Sequence, residues 1–228
     1  MSNITEIDKN LKVETSIERA GMVFKNATDD PFVLYGIWYD GKQYRRLPDE
    51  IAKSTNPGVH KLSTNTAGGR LRFVTDSPYI ALKVILPHNT LFAHMPLTGI
   101  AGFDMYVKDS GKYTVTKTFV PHHSFKDSYE GVHDFEGERA ERDITLNFPL
   151  YNDVYELYIG LQDGCVLKEA PSYEKKDPIV FYGSSITQGG CASRPGNAYT
   201  SIVARRYDMD HINLGFSGSA KGEQITAE

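Results

Sequence analysis

The sequence has few cysteines, no long apolar run and no excess of either charge. Two cysteines, Cys165 and Cys191, are too few for a disulfide framework and match no metal-ligand spacing, so we expect two free, buried thiols. No apolar run approaches the roughly 18 residues that a membrane span needs. Residues 1–10 lack the basic and apolar regions of a signal peptide. We therefore predict a cytoplasmic protein without a membrane partner.

Basic residues are scarce for a nucleic-acid binder. The chain carries 25 Lys and Arg against 29 Asp and Glu, a formal net charge of -4. No basic stripe is present, so nucleic acid is excluded as a partner. The pairs Arg45-Arg46 and Arg205-Arg206 are isolated, and we expect both on solvated surface.

Helical periodicity is almost absent from residues 11–170, which instead show short apolar segments separated by Gly, Pro, Asn and Asp. Asp40-Gly41 is typical of a hairpin turn, and the one weak helical candidate is residues 49–54, after Pro48. This pattern predicts an antiparallel β-sandwich of the jelly-roll kind. The expected strands are residues 32–39, 71–74, 79–86, 103–107, 113–120, 144–148 and 155–161.

The pattern changes after a polar break at residues 174–178. Residues 179–182 form a short apolar run typical of a buried parallel strand, and residues 211–214 form a second one. Between them, residues 198–207 carry a helical period that places Ile202, Val203 and Ala204 inward and Arg205-Arg206 outward. This is the first βαβ unit of a doubly wound, flavodoxin-like α/β domain.

We therefore divide the chain into a β-sandwich domain, residues 1–175, and the beginning of an α/β domain, residues 176–228. A single βαβ unit cannot bury both faces of its strands. We accordingly expect the protein to continue beyond Glu228.

A small, polar turn, residues 183–190, lies between the first parallel strand and the predicted helix. Ligands of open α/β sheets bind at the carboxyl ends of the strands, and Ser185 lies at that edge. A phosphate-binding loop is excluded because no lysine follows Gly189. The nucleophile elbow Gly-x-Ser-x-Gly is excluded because Thr187 replaces its second glycine. A glycine-serine turn without chemistry is the remaining structural alternative.

Residues 183–189, Gly-Ser-Ser-Ile-Thr-Gln-Gly, resemble the nucleophile block of the GDSL, or SGNH, hydrolases. Residues 213–218, Asn-Leu-Gly-Phe-Ser-Gly, are similar to the second block of that family. The resemblance implies that Ser185 is the nucleophile and that the amides of Ser185 and Gly218 hold the oxyanion. It implies no metal and no organic cofactor. The strand-rich region also resembles the sandwich domain that precedes the hydrolase domain in some acetyl esterases acting on carbohydrates.

The sequence departs from the family pattern at several points. Ser184 stands where the family has Asp, and we expect its side chain to cap the turn. The family's third block and its Asp-x-x-His are absent from the 228 residues. Asp208 and His211 have that letter spacing, but they precede the second strand, about 15 Å from the serine edge. We therefore predict a structural or surface role for His211.

Other histidines leave one alternative open. His122, His123 and His133 lie in the strand-rich region. The minor alternative is that one of them borders a substrate cleft.

These observations predict a serine-dependent carboxylic-ester hydrolase that forms an acyl-enzyme on Ser185. The expected substrate is a small-molecule or carbohydrate ester, with acetyl as the acyl group. The catalytic Asp and His are expected beyond Glu228, so we expect the 228 residues alone to be inactive. Two alternatives stay open. One is an acyltransferase that uses the same serine. The other is a non-catalytic carbohydrate-binding module, whose sugar-stacking face would come from Trp38 and some of the 14 Tyr and 11 Phe.

Overall fold

The computed structural model describes residues 13–88 and 90–226. Residues 1–10, to which the expectation about a signal peptide refers, lie outside the described residues. The helices in the described residues are α1 (Asp49–Thr55), α2 (Pro57–Leu62), α3 (Leu97–Ile100), α4 (Ser185–Gln188) and α5 (Tyr199–Tyr207). The strands are β1 (Met22–Asn26), β2 (Val33–Tyr35), β3 (Trp38–Tyr39), β4 (Tyr44–Arg45), β5 (Arg70–Thr75), β6 (Tyr79–Ile85), β7 (Phe103–Asp109), β8 (Lys112–Phe119), β9 (Ser128–Asp134), β10 (Arg142–Asn147), β11 (Glu156–Gln162), β12 (Leu167–Lys168), β13 (Lys175–Gly183) and β14 (Met209–Gly215).

Two antiparallel sheets make up most of the chain. One has the strand order β1-β11-β6-β9, and the other has the order β12-β5-β10-β7-β8, with β2 also paired to β5. Both sheets contribute to one hydrophobic core, as Phe73 and Leu146 from the second sheet and Leu82 and Ile159 from the first are all fully buried. The predicted mainly-β character of this region is therefore confirmed. We call residues 13–170 the antiparallel region.

Two local predictions for this region, a hairpin turn and a short helix, are confirmed. The hairpin at Asp40-Gly41 forms between β3 and β4, and the Asp40 carboxylate accepts hydrogen bonds from the amides of Lys42 and Gln43, each at 2.9 Å. The helix expected at residues 49–54 is α1. Strands β1 and β9 were not predicted. They pair with the two central strands β11 and β6 and complete that sheet.

The parallel pairing predicted near the C-terminus is also confirmed. Strands β13 and β14 pair in parallel, in a register that runs from Ile179 opposite His211 to Gly183 opposite Gly215. The predicted helix is α5. Its expected inward face is confirmed for Ala204, which is buried, and wrong for Ile202, which is 46% exposed. The buried face consists of Thr200, Ser201 and Ala204, whose small side chains allow the helix to lie close to its neighbours.

Helices α1 and α2 attach the parallel pair to the antiparallel region. Ala52 and Val59 from these helices form a small apolar cluster with Leu214 and Phe216. Next to this cluster, the expectation that Arg45-Arg46 lies on solvated surface is wrong, because both residues are buried. Of the second pair, Arg206 is exposed, whereas the Arg205 guanidinium lies 4.2 Å from the centroid of the Tyr106 ring.

The buried Arg46 guanidinium donates to four backbone carbonyl groups and, at 3.5 Å, to the side-chain Oδ1 of Asn213. Its backbone acceptors are the carbonyl oxygens of Leu62 (2.6 Å), Asn65 (2.6 Å), Asn213 (2.9 Å) and Gly215 (2.8 Å).

Both cysteines are free, but the expectation that they are buried is wrong: Cys191 is exposed and Cys165 is only half-buried. Among residues 13–88 and 90–226, no helix is both long and apolar enough to cross a bilayer.

Candidate active site

The turn after β13 has a shape that its small residues make possible. Strand β13 ends at Gly183, and the single helical turn α4 begins at Ser185. A side chain at Gly183 would collide with the hydroxyl group of Thr187. Gly189 ends α4 with φ of 112°, and a Cβ atom there would lie 2.9 Å from the Leu150 side chain. The two glycines therefore allow α4 to fold back tightly onto β13 and onto the antiparallel region.

The segment after β14 is bonded to this turn by three successive backbone amides. Because β13 and β14 end side by side, the two segments lie in contact. The Phe216 amide donates to the Gly183 carbonyl oxygen at 2.8 Å. The Ser217 amide donates to Oε1 of Gln188 at 2.9 Å, and the Gly218 amide donates to Oγ of Ser184 at 2.9 Å. The two blocks singled out in the sequence are thus hydrogen-bonded to each other.

Ser184 has a different contact from the expected one. It occupies the N-cap position of α4, but its side chain makes no capping hydrogen bond, so that expectation is wrong. Its hydroxyl oxygen instead accepts the Gly218 amide. The amide predicted to hold the oxyanion therefore has a protein acceptor in this structure, and a substrate oxyanion has to share or replace it.

Gly215 brings the backbones of the two blocks into direct contact. A Cβ atom at this position would collide with the backbone of Gln188. The buried Asn213 side chain reinforces the contact: its Nδ2 donates to the Thr187 carbonyl oxygen at 2.7 Å, and its Oδ1 accepts the Gly215 amide at 2.8 Å. These bonds fix the position of α4 relative to β14.

Gln188 connects both blocks to the antiparallel region. Its side chain is fully buried, and Nε2 donates to Oδ1 of Asn65 at 3.1 Å and to the Leu150 carbonyl oxygen at 3.2 Å. All of its polar atoms therefore have partners, as burial requires. Sequence reasoning missed this residue, and its only signal was a long polar side chain within a glycine-rich turn.

A cavity of about 390 Å³ opens beside the serine turn. The turn and the segment after β14 contribute Ser185, Ile186, Gly190, Cys191 and Ser217 to its lining. The antiparallel region contributes Phe92, His94, Met95 and Tyr151.

Tyr151 lies between the two blocks. Its hydroxyl group donates to the Ser185 carbonyl oxygen at 3.2 Å. Burial raises the pKa of Tyr151, and a hydrogen bond with Ser217 opposes that shift. The phenol therefore stays neutral at physiological pH and acts as a hydrogen-bonding group.

The histidines differ in whether they line the cavity. His211 is fully buried and accepts a hydrogen bond at Nδ1 from Arg70 Nη1 at 2.8 Å. Burial and the neighbouring Arg70 lower the pKa of His211 well below its usual value, so the ring is neutral and structural, as predicted. His94, which sequence reasoning missed, lines the cavity with Ser185; His122, His123 and His133 are not among the lining residues.

Asp104 holds the segment that follows the serine turn. It is fully buried, and its two oxygens accept one hydrogen bond each, from Asn147 Nδ2 and from the Gly196 amide, both at 2.8 Å. Arg194 Nε lies 3.3 Å from Oδ2. Burial raises the pKa of Asp104 to about 6. Sequence reasoning missed this residue because its partners are distant in the chain.

Two family models match the sequence. The model described as GxDLY, the N-terminus of SGNH-hydrolase-type esterases, matches residues 22–167. The model of the GDSL-like lipase and acylhydrolase family matches residues 175–228. The letters GxDLY fit residues 102–106, Gly-Phe-Asp-Met-Tyr, with Met in place of Leu, so the letter D falls on Asp104. A search of curated proteins finds no match.

Solved structures resemble the chain over most of its length. A candidate GDSL-like lipase from Bacteroides ovatus is 31% identical with a TM-score of 0.81, and the match covers 90% of this chain and 60% of that one. The salicylyl-acyltransferase SsfX3 from a tetracycline biosynthetic pathway is 22% identical with a TM-score of 0.71, over 92% and 58% of the two chains.

A family two carbohydrate esterase from Clostridium thermocellum, in complex with cellohexaose, is 13% identical with a TM-score of 0.52, over 86% and 56% of the two chains. The chain thus spans about three fifths of the length of the solved structures that it matches. The likeness to the acyltransferase and to the carbohydrate esterase concerns the fold.

Proposed function

Because the chain belongs to the family of SGNH-hydrolase-type esterases, the N-terminal model of which spans residues 22–167, we propose that it is a serine-dependent carboxylic-ester hydrolase with Ser185 as its nucleophile. One observation carries the assignment. Ser185 follows the end of a parallel strand, at the edge where α/β folds bind ligands, and it lines the cavity of about 390 Å³ together with Ser217 of the second block.

The reaction has two steps. Ser185 Oγ attacks the carbonyl carbon of the ester and gives its proton to a general base. The base returns that proton to the departing alcohol, which leaves an acyl-enzyme. Water then attacks the acyl-enzyme and releases the acid. The group that acts as the base is not assigned among residues 13–88 and 90–226.

The negative charge that develops on the carbonyl oxygen needs donors. We propose the amides of Ser185 and Gly218, the pair implied by the family blocks. The Gly218 amide donates to Ser184 Oγ at 2.9 Å without substrate, so its direction is already fixed. The oxyanion then shares this oriented donor with Ser184 Oγ or replaces that oxygen as its acceptor.

The layout of the chain completes the proposal. We propose that the two antiparallel sheets are the faces of a sandwich domain, residues 1–175, and that residues 176–228 open a flavodoxin-like α/β domain. A small acyl group such as acetyl and a carbohydrate alcohol remain predictions. The carbohydrate esterase among the solved structures supports them at the level of the fold alone.

The proposal is tested by labelling and turnover. The protein is expressed from its complete reading frame, with residues 1–228 assayed beside it. We expect a fluorophosphonate probe to label Ser185, and Ser185→Ala to lower the rate of ester hydrolysis by at least ~10³-fold. Ser124→Ala, at an exposed serine outside the cavity, is the control. Activity of Ser185→Ala near that of the unmodified protein would rule out the assignment.

An acyltransferase remains the second candidate, because the solved structure of one shares the fold. The two activities differ in the acceptor of the acyl group. Product analysis with an added alcohol or amine separates them: a hydrolase releases mainly the free acid, whereas a transferase forms the new ester or amide.

A further inference from the structure

One wall of the cavity beside Ser185 is aromatic and comes entirely from the antiparallel region. We define the aromatic wall as Phe92, His94, Met95 and Tyr151. The Phe92 ring stacks on His94 with centroids 5.5 Å apart and 27° between the ring planes. It meets Tyr151 edge-on, at 5.5 Å and 89°. These contacts place the three rings next to one another along one side of the cavity.

Opposite the wall lie the reacting serine and further apolar surface. Ile186 directly follows Ser185, lines the cavity and is 75% exposed. Phe92 is also partly exposed, at 37%. Because Phe92 and Ile186 line the same cavity as Ser185, we expect an ester that reacts there to bring one of its two substituents against this apolar surface, where burial is favourable.

Apart from Ser185, the polar side-chain groups of the lining are the hydroxyl groups of Tyr151 and Ser217, the His94 ring and the Cys191 thiol. Among the described residues that line the cavity, none carries a carboxylate or amide side chain. The Tyr151 hydroxyl group already contacts the Ser185 carbonyl oxygen. Ser217 donates its backbone amide to Gln188. The ring of a sugar carries several hydroxyl groups, which would lose their hydrogen bonds to water here without enough replacements.

From this lining we propose a substrate class: an ester with a ring-sized apolar group that packs against Phe92 and Tyr151. The inference rests on the proposed role of Ser185 as the nucleophile, and it replaces the carbohydrate alcohol predicted from the sequence with a ring-bearing substrate class. The size of the cavity agrees, because a cavity of about 150 Å³ holds benzene and this one measures about 390 Å³. The remaining volume accommodates the ester group itself.

The ring can belong to either side of the ester, so the experiment uses both arrangements. Hydrolysis is measured for phenyl acetate, with the ring in the alcohol, and for ethyl benzoate, with the ring in the acyl group. Ethyl acetate and an acetylated methyl glucoside serve as the ring-free and sugar substrates. We expect kcat/KM for at least one ring-bearing ester to exceed that for the glucoside by on the order of tenfold or more.

The variants assign the preference to the wall. Phe92→Ala should lower kcat/KM for the preferred ring-bearing ester about tenfold, mainly through KM, and change that for ethyl acetate less than about twofold. Leu91→Ala is the matched control, because Leu91 is the adjacent residue, is 58% exposed and does not line the cavity. It should leave all four rates unchanged.

A binding measurement keeps the inference separate from the proposed function. Benzoate and phenol are titrated calorimetrically into the protein, which needs no turnover. Binding that Phe92→Ala weakens about tenfold supports the wall, even where no ester is hydrolysed and the proposed function fails. Two results would overturn the inference: absence of binding by both ligands, or a glucoside rate equal to the ring-ester rates and unaffected by Phe92→Ala.

Discussion

Arg46 donates from Nη1 to the carbonyl oxygen of Gly215 at 2.8 Å, which ties the antiparallel region to the end of β14, within the second block. The same atom donates to the Asn213 carbonyl oxygen at 2.9 Å. Burial lowers the pKa of Arg46 to about 9, so the guanidinium remains charged at neutral pH. Because its acceptors are carbonyl groups, the buried Arg46 cation holds the backbone in position without a negatively charged partner.

Arg46→Met should destabilise the protein strongly. The substitution keeps apolar bulk but leaves the four carbonyl groups without their donor, and each buried unsatisfied group costs about 1–3 kcal/mol. We expect the free energy of unfolding to fall by at least ~3 kcal/mol in denaturant titrations. Arg206→Met, at an exposed site of the same charge, should change it by less than ~0.5 kcal/mol. Equal losses in both variants would contradict the structural role of Arg46.

Gly215→Ala should be far more damaging than Gly218→Ala. A Cβ atom at position 215 meets the Gln188 backbone, whereas one at position 218 meets open space. Gly218 has φ of 68°, so alanine there carries only the conformational cost of about 1–2 kcal/mol. In thermal unfolding, we expect Gly215→Ala to lower the free energy of unfolding by more than ~3 kcal/mol and Gly218→Ala to lower it by only the smaller conformational cost. Similar melting temperatures for the two variants would contradict the close contact of the blocks.

Asp104 should make the stability of the protein depend on pH between about 4 and 6. Its pKa is raised from 3.8 to about 6, so the folded state binds a proton that the unfolded state has lost in this interval. Stability contributed by this group is therefore complete below about pH 4 and falls as the pH rises to about 6, by on the order of 3 kcal/mol.

Asp104→Asn cannot ionise and should remove that slope. Unfolding free energies at pH 4, 5, 6 and 7 are compared for the two proteins, and the difference between the curves isolates the contribution of Asp104. Asp109→Asn, at the exposed last residue of β7, is the control. Parallel curves for the unmodified protein and Asp104→Asn would show that this carboxyl group is not the origin of the dependence.

Ser184→Ala should impair hydrolysis while the fold remains stable. The variant removes the acceptor that orients the Gly218 amide, but Gly218 is exposed, so water replaces the lost bond at little cost to stability. We expect kcat to fall on the order of tenfold with KM nearly unchanged, as for a partly lost oxyanion donor. Ser184→Asp, which keeps an acceptor oxygen, should retain more of the rate. A rate for Ser184→Ala at or above that of the unmodified protein would mean that the hydroxyl group competes with the oxyanion.

The sequence allowed prediction where the signal is local. Asp40-Gly41 identified its hairpin, and the apolar runs at residues 179–182 and 211–214 identified the parallel pair. Ser185 was singled out because small residues in a fixed order follow an apolar run, although the expected burial of that run is wrong for Val180 and Tyr182, which are 55% and 41% exposed. Each of these signals depends on neighbours within about ten positions.

Residues whose roles depend on distant partners were missed or misjudged. Arg46 was expected at the surface, although its acceptors at Asn213 and Gly215 lie far away in the sequence and bury it. Gln188 and Asp104 gave no local sign of their long-range bonds. The expected inward face of α5 was wrong at Ile202, because contact with β14 selects the small residues of the helix rather than the most apolar ones.

The buried Gln188 amide has a consequence for recombination between relatives. Its bonds to Asn65 and Leu150 cross the proposed boundary at residues 175 and 176, as do those of Arg46. A hybrid that joined residues 1–175 of one protein to the hydrolase part of another would bring together polar atoms that have not evolved as partners. The residues that bond across the boundary therefore have to be exchanged together. Successful chimaeras will be those in which Arg46, Asn65 and Gln188 come from a single parent.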